Sequence, residues 1–485
     1  MTTQAAAPET TATNKVSVPT LTAMVVGSMV GAGVFSLPAR FGVATGAIGA
    51  VIAWVVAGLG MLMLAFVFQN LAVRKPKLNA GIFAYAKAGF GDYVGFNSAF
   101  GYWASATVGN CFYWVFIMTT IGKVAPAFGK GDTVLAVSIS TVCVWLFAYL
   151  IARGVKEAAG INRIVTYAKL VPIIVFILIV GVAAIGFSKG EFRLNLWGGE
   201  TPSVSTLFSQ VKATMLITTF VFLGIEGATV YSRYAKRRED IGRATVLGFL
   251  SVLCLFALVT LVSYGVLPRE QLATAQQPSM ASVLGHVVGQ WGSAFISVGL
   301  IVSVLGAYLA WTLMAAEILF IPATDNDMPK FLKRENRAGA PIAALVMTSA
   351  MVQLFLVVTL LSEDAFNFLL DLATSLSLFP YLFAAAYALK LTLTRETYRE
   401  GVSVARPLVV AGLATIFALF LIYSAGAKFI LFSCIIYAAG TVLYLVARRE
   451  TGQRLFRPFE AVLCGLLALA GIAGVVGLVT GAVTI

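Results

Sequence analysis

The sequence predicts an all-α polytopic membrane protein with about 13 transmembrane helices. Its 485 residues are 59% hydrophobic and only 11% charged, and the mean hydropathy is +0.92. Many bilayer crossings produce such a composition, whereas a soluble domain with one anchor does not. Glycine-rich interruptions occur inside two of the apolar segments, at residues 31–33 and 224–227. Both points mark places where a regular helix is expected to break.

Apolar runs of roughly 20 residues define the predicted spans. We expect no signal peptide before them, because residues 1–17 are polar and rich in Thr, Ala and Pro, which is typical of a disordered tail. The predicted spans are 18–42, 45–72, 92–122, 133–152, 161–187, 208–231, 243–267, 289–320, 341–361, 364–389, 407–424, 427–447 and 459–484.

The connections between these spans alternate in charge. Alternate connections, with Lys15, hold 26 of the 34 Lys and Arg residues. Basic connections stay cytoplasmic, so the N-terminus is predicted inside and the C-terminus, after an odd number of spans, outside an inner or plasma membrane. The net charge of +13 is therefore attributed to topology, and no nucleic-acid partner is expected.

The interrupted segments are the first and the sixth spans. Because five spans separate them, the second copy of a repeated unit must run in the opposite direction across the membrane. This spacing predicts a five-plus-five inverted repeat, with residues 18–187 and 208–389 as the two repeats and residues 407–485 as peripheral helices. Broken helices in such repeats form a midplane substrate site, so the pattern indicates a secondary transporter.

Glu226 is the sharpest candidate for chemistry. A carboxylate inside an apolar span is expensive unless it is paired, and this one stands at the second interruption. It is interpreted as a gating or coupling group, with capping of its own helix break as the alternative. Glu317 is a further intramembrane carboxylate that either pairs with a loop Lys or Arg or lies in the substrate path, and Asp371 either pairs within the bundle or lines the outer vestibule.

Lys169 opens the apolar body of the fifth span. The simplest explanation is a lysine that extends to the interface. The alternative is an ammonium at a position where related folds bind sodium.

Several polar and aromatic residues fall near the middle of their spans. Aromatic faces can stack on a cation, and an amide oxygen can accept from a guanidinium. Packing and interhelical hydrogen bonds are the alternative roles. The candidates are Tyr102, Trp103, Asn110, Phe220 and Trp311.

No feature of the sequence predicts an enzyme or a cofactor. The single histidine, His286, cannot supply a histidine-based metal site or catalytic triad. The five cysteines lie in apolar runs without metal-ligand spacing. A phosphate-binding Gly-Lys-Ser/Thr loop is missing, so ATP is not expected to power the chain directly.

Five separated motifs resemble the amino acid–polyamine–organocation superfamily, over about residues 18–450. Within that superfamily the chain is most similar to the arginine/ornithine antiporters of the basic amino acid and polyamine antiporter group. The resemblance implies a five-plus-five inverted-repeat (LeuT-like) transporter core with helices 1 and 6 broken. The motifs are Gly31–Pro38, Gly224–Ala228, Tyr102–Asn110, Ala310–Glu317 and Leu378–Leu382.

The resemblance assigns the substrate α-carboxylate to the backbone at Gly31, Ala32 and Gly33. The substrate α-amino group would meet carbonyls near Met29 and between Phe220 and Gly224. This assignment agrees with helix dipoles, because half-helix N-termini attract carboxylates and exposed carbonyls attract ammonium groups.

The resemblance also distributes the remaining roles. Asn110 and Trp311 would hold the side-chain cation. The other implied roles are substrate contacts for Tyr102 and Thr374, gating or coupling for Glu226 and Glu317, and replacement of a sodium ion by Lys169. The implied partners are arginine, ornithine and the lipid bilayer, and the oligomeric state, a homodimer included, stays open.

Two positions depart from the arginine/agmatine exchangers of the same group. Those exchangers carry tryptophan where Phe220 stands and serine where Ala32 stands. Phenylalanine stacks more weakly than tryptophan, and alanine lacks the hydroxyl. Both changes argue against carrying over agmatine-exchanger specificity.

Sodium-independent, electroneutral arginine/ornithine exchange is thus the first functional hypothesis. A proton-coupled permease or exchanger for lysine, another basic amino acid or a polyamine is the second. A channel or a membrane-embedded enzyme is a third, but the polar rings and catalytic pairs that those classes need are not visible in the sequence.

Overall fold

The computed structural model of the chain describes residues 17–76, 78, 82–154, 159–187, 189–226, 238–398 and 401–483. Over these ranges the protein is helical, and they contain no β-strand. The helices are α1 (Val18–Met29), α2 (Leu37–Ala44), α3 (Ala47–Arg74), α4 (Ile82–Phe90), α5 (Asp92–Gly122), α6 (Val134–Ala152), α7 (Ala159–Phe187), α8 (Lys189–Leu194), α9 (Val204–Val221), α10 (Arg238–Tyr264), α11 (Arg269–Ala273), α12 (Ser279–Val288), α13 (Gln290–Thr324), α14 (Ile342–Val358), α15 (Ala365–Leu393), α16 (Ala405–Thr451) and α17 (Pro458–Val479).

Ten helices in the described ranges are long and apolar enough to cross a membrane, or eleven when a bent pair counts as one span. The prediction of an all-α, multi-pass membrane protein is confirmed. Helix α16 has 47 residues, about 70 Å at 1.5 Å per residue, which is more than twice the roughly 30 Å of a hydrocarbon core. Its backbone leaves helical geometry at Gly426 (φ 73°, ψ 168°), where two predicted spans adjoin. Thirteen spans remain a prediction.

The bent pair lies at the first predicted interruption. Helix α1 ends at Met29, a 3-10 turn follows over Gly33–Ser36, and α2 continues from Leu37. The two arms are inclined by 54°. Pro38 suits the start of the second arm, because a proline in the first helical turn gives up an N–H that has no intrahelical acceptor there.

The second predicted interruption begins where α9 ends. Residues 222–226 form turns after Val221, and Gly224 has a φ of +101°, which favours glycine. The predicted continuation of this segment, including Gly227 and Ala228, lies outside the described residues. The predicted N-terminal tail lies outside them too, except for Ser17.

Helices α5 and α15 form the interior of the bundle. In the most apolar window, 83% of the residues of α5 and 78% of those of α15 are buried, compared with 11% for α17. Helix α5 packs against α15 and α13, and α17 packs against α16. The two interior helices therefore supply side chains to the centre, while α17 presents mainly apolar side chains outward.

Candidate functional site

A small internal cavity lies between the two interruptions. Its volume is about 30 Å³. Pockets for drug-sized ligands usually measure about 300–1,000 Å³, so an amino acid as long as arginine needs the walls to move. The lining residues are Ser28, Met29, Gly31, Ala32, Gly33, Ser105, Ala106, Gly109, Tyr113, Phe220, Val221, Leu223 and Trp311.

The first interruption places two residues with unpaired backbone donors in the wall of this cavity. The amide N–H groups of Gly31 and Ala32 have no hydrogen-bond acceptor among the described residues. They precede the 3-10 turn and α2, so the positive end of that arm is directed toward the break. Unpaired N–H groups at a helix N-terminus are suited to bind a carboxylate.

The two interruptions also contact each other through glycine backbone. The Ser28 hydroxyl donates to the Val25 carbonyl at 2.8 Å, and its oxygen also lies 3.4 Å from the Gly224 carbonyl oxygen. A Cβ atom on Gly224 would lie 2.7 Å from the Ser28 carbonyl oxygen, and one on Gly33 would lie 2.8 Å from a methyl group of Val221. Glycine is therefore required on both sides, because a side chain would separate the interrupted segments.

Aromatic rings form much of the remaining wall. Phe220 is 8% exposed, and its ring packs edge-on against Phe112 with centroids 5.3 Å apart. Tyr113 and Trp311 also line the cavity. Faces of aromatic rings attract cations, so this wall can hold a guanidinium or an ammonium group.

Glu226 ties the second interruption to the two interior helices. Its Oε1 accepts from the Tyr102 hydroxyl of α5, and its Oε2 accepts from the Tyr381 hydroxyl of α15 at 2.8 Å. Two hydroxyl donors stabilise a carboxylate that would otherwise be costly in this surrounding. A change in the charge or position of the Glu226 side chain would therefore alter the contacts that join the second interruption to α5 and α15.

Lys169 reaches the first interruption from α7. Its side chain is buried, and its ammonium donates to the Gly27 carbonyl at 3.4 Å. Gly27 belongs to the last turn of α1, where carbonyl groups lack helical partners and a positive charge is favourable. This geometry differs from a lysine that extends to the membrane interface.

The other predicted residues are distributed around the cavity. Asn110 is fully buried and donates from Nδ2 to the Thr312 hydroxyl oxygen at 3.2 Å. Thr374 donates to the Leu370 carbonyl at 2.9 Å, within its own helix. Neither residue is part of the cavity wall, and neither is Tyr102. Glu317 is exposed on α13.

Asp371 pairs with a residue that the sequence reasoning did not single out. Arg40 of α2 forms an ion pair with the Asp371 carboxylate of α15, and a second guanidinium nitrogen donates to Asn367 Oδ1 at 2.8 Å. A charged residue shortly after an interrupted apolar segment was the signal available for Arg40. Pairing within the bundle, one of the roles expected for Asp371, describes this contact.

Tyr381 and several cavity-lining residues were likewise missed as site residues. Tyr381 was noted only as part of a motif. The hydroxyl of Ser105 donates to the Ala373 carbonyl at 2.6 Å, linking α5 to α15 at the cavity. Gly109 faces open space, since a Cβ there would meet no heavy atom within 4 Å. Small residues spaced along one face of α5 were the available signal.

A larger cavity of about 1,110 Å³ lies elsewhere and contains none of the predicted site residues. Lys87 binds Asp327 in this region with contacts of 2.5 and 2.7 Å. Burial raises the pKa of the Asp327 carboxyl, and the Lys87 ammonium opposes that shift. We place the candidate site at the smaller cavity, because both interruptions and the unpaired N–H groups meet there.

Comparison with known proteins finds transport proteins that match the chain over nearly its whole length. The chain is 46% identical over 473 residues to an arginine/ornithine antiporter of Pseudomonas aeruginosa, covering 96% of this chain and 97% of the relative. It is 38% identical over 485 residues to an L-lysine transport protein of Corynebacterium glutamicum, covering 97% and 96%. It is 36% identical over 464 residues to an arginine/agmatine antiporter of Chlamydia pneumoniae, covering 93% and 95%.

The family described as amino acid permease matches residues 16–442, which include both interruptions and all the candidate site residues. The resemblance to the amino acid–polyamine–organocation superfamily is thereby confirmed. A multi-pass helical bundle suits a permease, and this chain belongs to the amino acid permease family.

Proposed function

We propose that the protein is a secondary active transporter that exchanges cationic amino acids, taking up arginine against ornithine export. One observation carries the proposal. Gly31 and Ala32, whose N–H groups have no acceptor among the described residues, line the same cavity as Trp311. An α-carboxylate and a side-chain cation, the two ends of a basic amino acid, find complementary groups on these walls.

The α-amino group would be held by carbonyls at the ends of α1 and α9. Met29 and Leu223 line the cavity, and the backbone around them ends a helix in both cases. Carbonyls at a helix C-terminus carry partial negative charge. Together with the N–H groups at the other arm, they fit the zwitterionic head of an α-amino acid.

The names of the relatives support the choice of substrate. Two of them are named as antiporters of arginine with ornithine or agmatine, at 46% and 36% identity. Phe220 and Ala32 depart from the agmatine exchangers, so we favour ornithine as the counter-substrate. The lysine transport relative, at 38% identity, supports a second candidate, a proton-coupled permease or exchanger for lysine or another basic substrate.

We further propose that the exchange is sodium-independent and electroneutral. The Lys169 ammonium stands 3.4 Å from the Gly27 carbonyl, where it would take the place of a sodium ion. Arginine and ornithine each carry about one net positive charge near neutral pH, so a one-for-one exchange moves no net charge. The proposed location is the inner or plasma membrane, with a cytoplasmic N-terminus and an outward C-terminus, as the basic connections indicate.

Counterflow in proteoliposomes tests the proposal. Radiolabelled arginine should enter vesicles preloaded with ornithine and should not enter empty vesicles to a comparable extent. Vesicles preloaded with a neutral amino acid provide the matched control. Uptake into empty vesicles that follows a proton gradient would support the permease instead.

A further inference from the structure

The bonding of one buried threonine determines which atom of Asn110 is free. Thr312 Oγ1 lies 2.7 Å from the Tyr308 carbonyl oxygen and 3.2 Å from Asn110 Nδ2. A hydroxyl has one proton, and the carbonyl of Tyr308 can only accept it. The threonine oxygen therefore has only lone pairs left for Asn110, which must donate to it through Nδ2.

Because Asn110 uses Nδ2 to bind Thr312, its Oδ1 atom remains available to accept a hydrogen bond from another group. Asn110 is 0% exposed and Thr312 is 1% exposed, so solvent does not compete for either side chain. Oδ1 has no hydrogen-bond partner among the described residues. A buried carbonyl oxygen without a partner is unfavourable, and its retention points to a donor that arrives from outside the chain.

The neighbours of both residues face the candidate site. Gly109 precedes Asn110 and lines the cavity, as does Trp311, which precedes Thr312. A Cβ on Gly109 would meet no heavy atom within 4 Å. The missing side chain leaves room for a ligand group to approach the Asn110 amide from the cavity.

We propose that Thr312 is a positioning residue that orients the Asn110 carboxamide so that its oxygen accepts from the side-chain cation of the substrate. The inference rests on the proposed function. With the opposite amide orientation, two N–H donors would face the cation and repel it. Thr312 thus favours cationic over neutral side chains without touching the substrate.

The test compares Thr312→Val, which keeps the side-chain shape but removes the lone pairs, with Thr312→Ser, which retains them. The measurement is arginine/ornithine exchange in proteoliposomes at varied arginine. Thr312→Val is expected to raise the KM for arginine about tenfold, equivalent to 1.4 kcal/mol, with kcat within about twofold. Thr312→Ser is expected to recover most of the wild-type KM. Thr312→Ala replaces the valine variant if that variant does not insert.

A second background separates positioning from packing. In Asn110→Asp both side-chain oxygens accept, so the orientation no longer matters and Thr312→Val should change KM little. The matched control is Thr260→Val. Thr260 is also buried and accepts from Trp54 at 2.8 Å, and its hydroxyl lies 2.8 Å from the Ala257 carbonyl oxygen and 3.0 Å from that of Phe256, away from the cavity.

The outcomes distinguish the positioning role of Thr312 from the proposed function. An unchanged KM in Thr312→Val, with wild-type exchange intact, overturns the positioning role and leaves the proposed function standing. A KM increase of the same size in the Asn110→Asp background, or in Thr260→Val, also overturns it, because packing then explains the effect. Wild-type protein that does not exchange arginine for ornithine overturns the proposed function together with this inference.

Discussion

Arg40 on α2 is joined to Asp371 on α15 by an ion pair, and this contact connects the arm beyond the first interruption to an interior helix. Both side chains are mostly buried, at 16% and 13% exposure. Asp371 lies two residues before Ala373, whose carbonyl accepts from the cavity-lining Ser105. The ion pair between α2 and α15 therefore lies close to the cavity.

Breaking this pair should slow exchange. Each of Arg40→Gln and Asp371→Asn leaves one partly buried charge without its partner and removes the contact that holds α2 against α15, so each is expected to lower the turnover rate tenfold or more. The double exchange Arg40→Asp with Asp371→Arg restores the charge pair and should recover part of the rate. A double variant slower than both single variants would argue against a specific contact.

Gly33→Leu should abolish transport while membrane insertion continues. The first added carbon would already lie 2.8 Å from Val221 and 2.9 Å from Phe220, so the two interrupted segments would be forced apart. Counterflow and size-exclusion profiles of the purified protein measure the two properties. Gly412→Leu is the matched control, since a Cβ at Gly412 meets no heavy atom within 4 Å. Normal uptake by Gly33→Leu would exclude a substrate site at the first interruption.

Trp311→Ala should raise the KM for arginine much more than that for a small neutral amino acid. A desolvated contact between a cation and an aromatic face contributes up to about 2 kcal/mol, which corresponds to an effect of tens-fold. Competition of each amino acid against labelled ornithine provides the measurement. Trp311→Phe, which keeps a ring, should show a smaller effect. Equal KM changes for both substrate classes would assign Trp311 to packing.

Sodium dependence tests the position of Lys169. If its ammonium replaces sodium beside Gly27, wild-type exchange should not change when sodium is replaced by choline at constant ionic strength. Lys169→Ala should fold and fail to exchange, because the carbonyls of the first interruption lose their cation. A wild-type rate that rises with sodium contradicts this role, and so does a fully active Lys169→Ala.

Membrane potential should not drive exchange. Because one positive charge enters for each that leaves, a potassium–valinomycin potential is expected to leave the initial rate of arginine uptake into ornithine-loaded vesicles unchanged within about twofold. Vesicles without internal ornithine are measured alongside. Accumulation of arginine in those vesicles under an inside-negative potential would identify a uniporter or a proton symporter.

The sequence by itself determined the class of the fold and predicted where two of its helices are interrupted. Hydrocarbon requires every backbone N–H and C=O group to be paired, so long apolar runs must be helices, and the glycines at 31–33 and 224–227 can interrupt them only where other partners exist. This reasoning is local, and for that reason it located Gly33, Gly224 and Glu226 without coordinates. Span length, rather than glycine, placed the boundary between two predicted spans next to Gly426, where α16 leaves helical geometry.

The tertiary structure decided which distant residues meet. Tyr102, Glu226 and Tyr381 are more than 120 residues apart along the chain. In the folded protein, both tyrosine hydroxyls donate to the Glu226 carboxylate. Arg40 with Asp371, and Thr312 with Asn110, are pairs of the same kind. In each case the partners belong to different segments, and their contact depends on how the helices that carry or precede them are packed and rotated. Periodicity along one segment carries no information on that rotation, because a lipid-spanning helix can be apolar on every side.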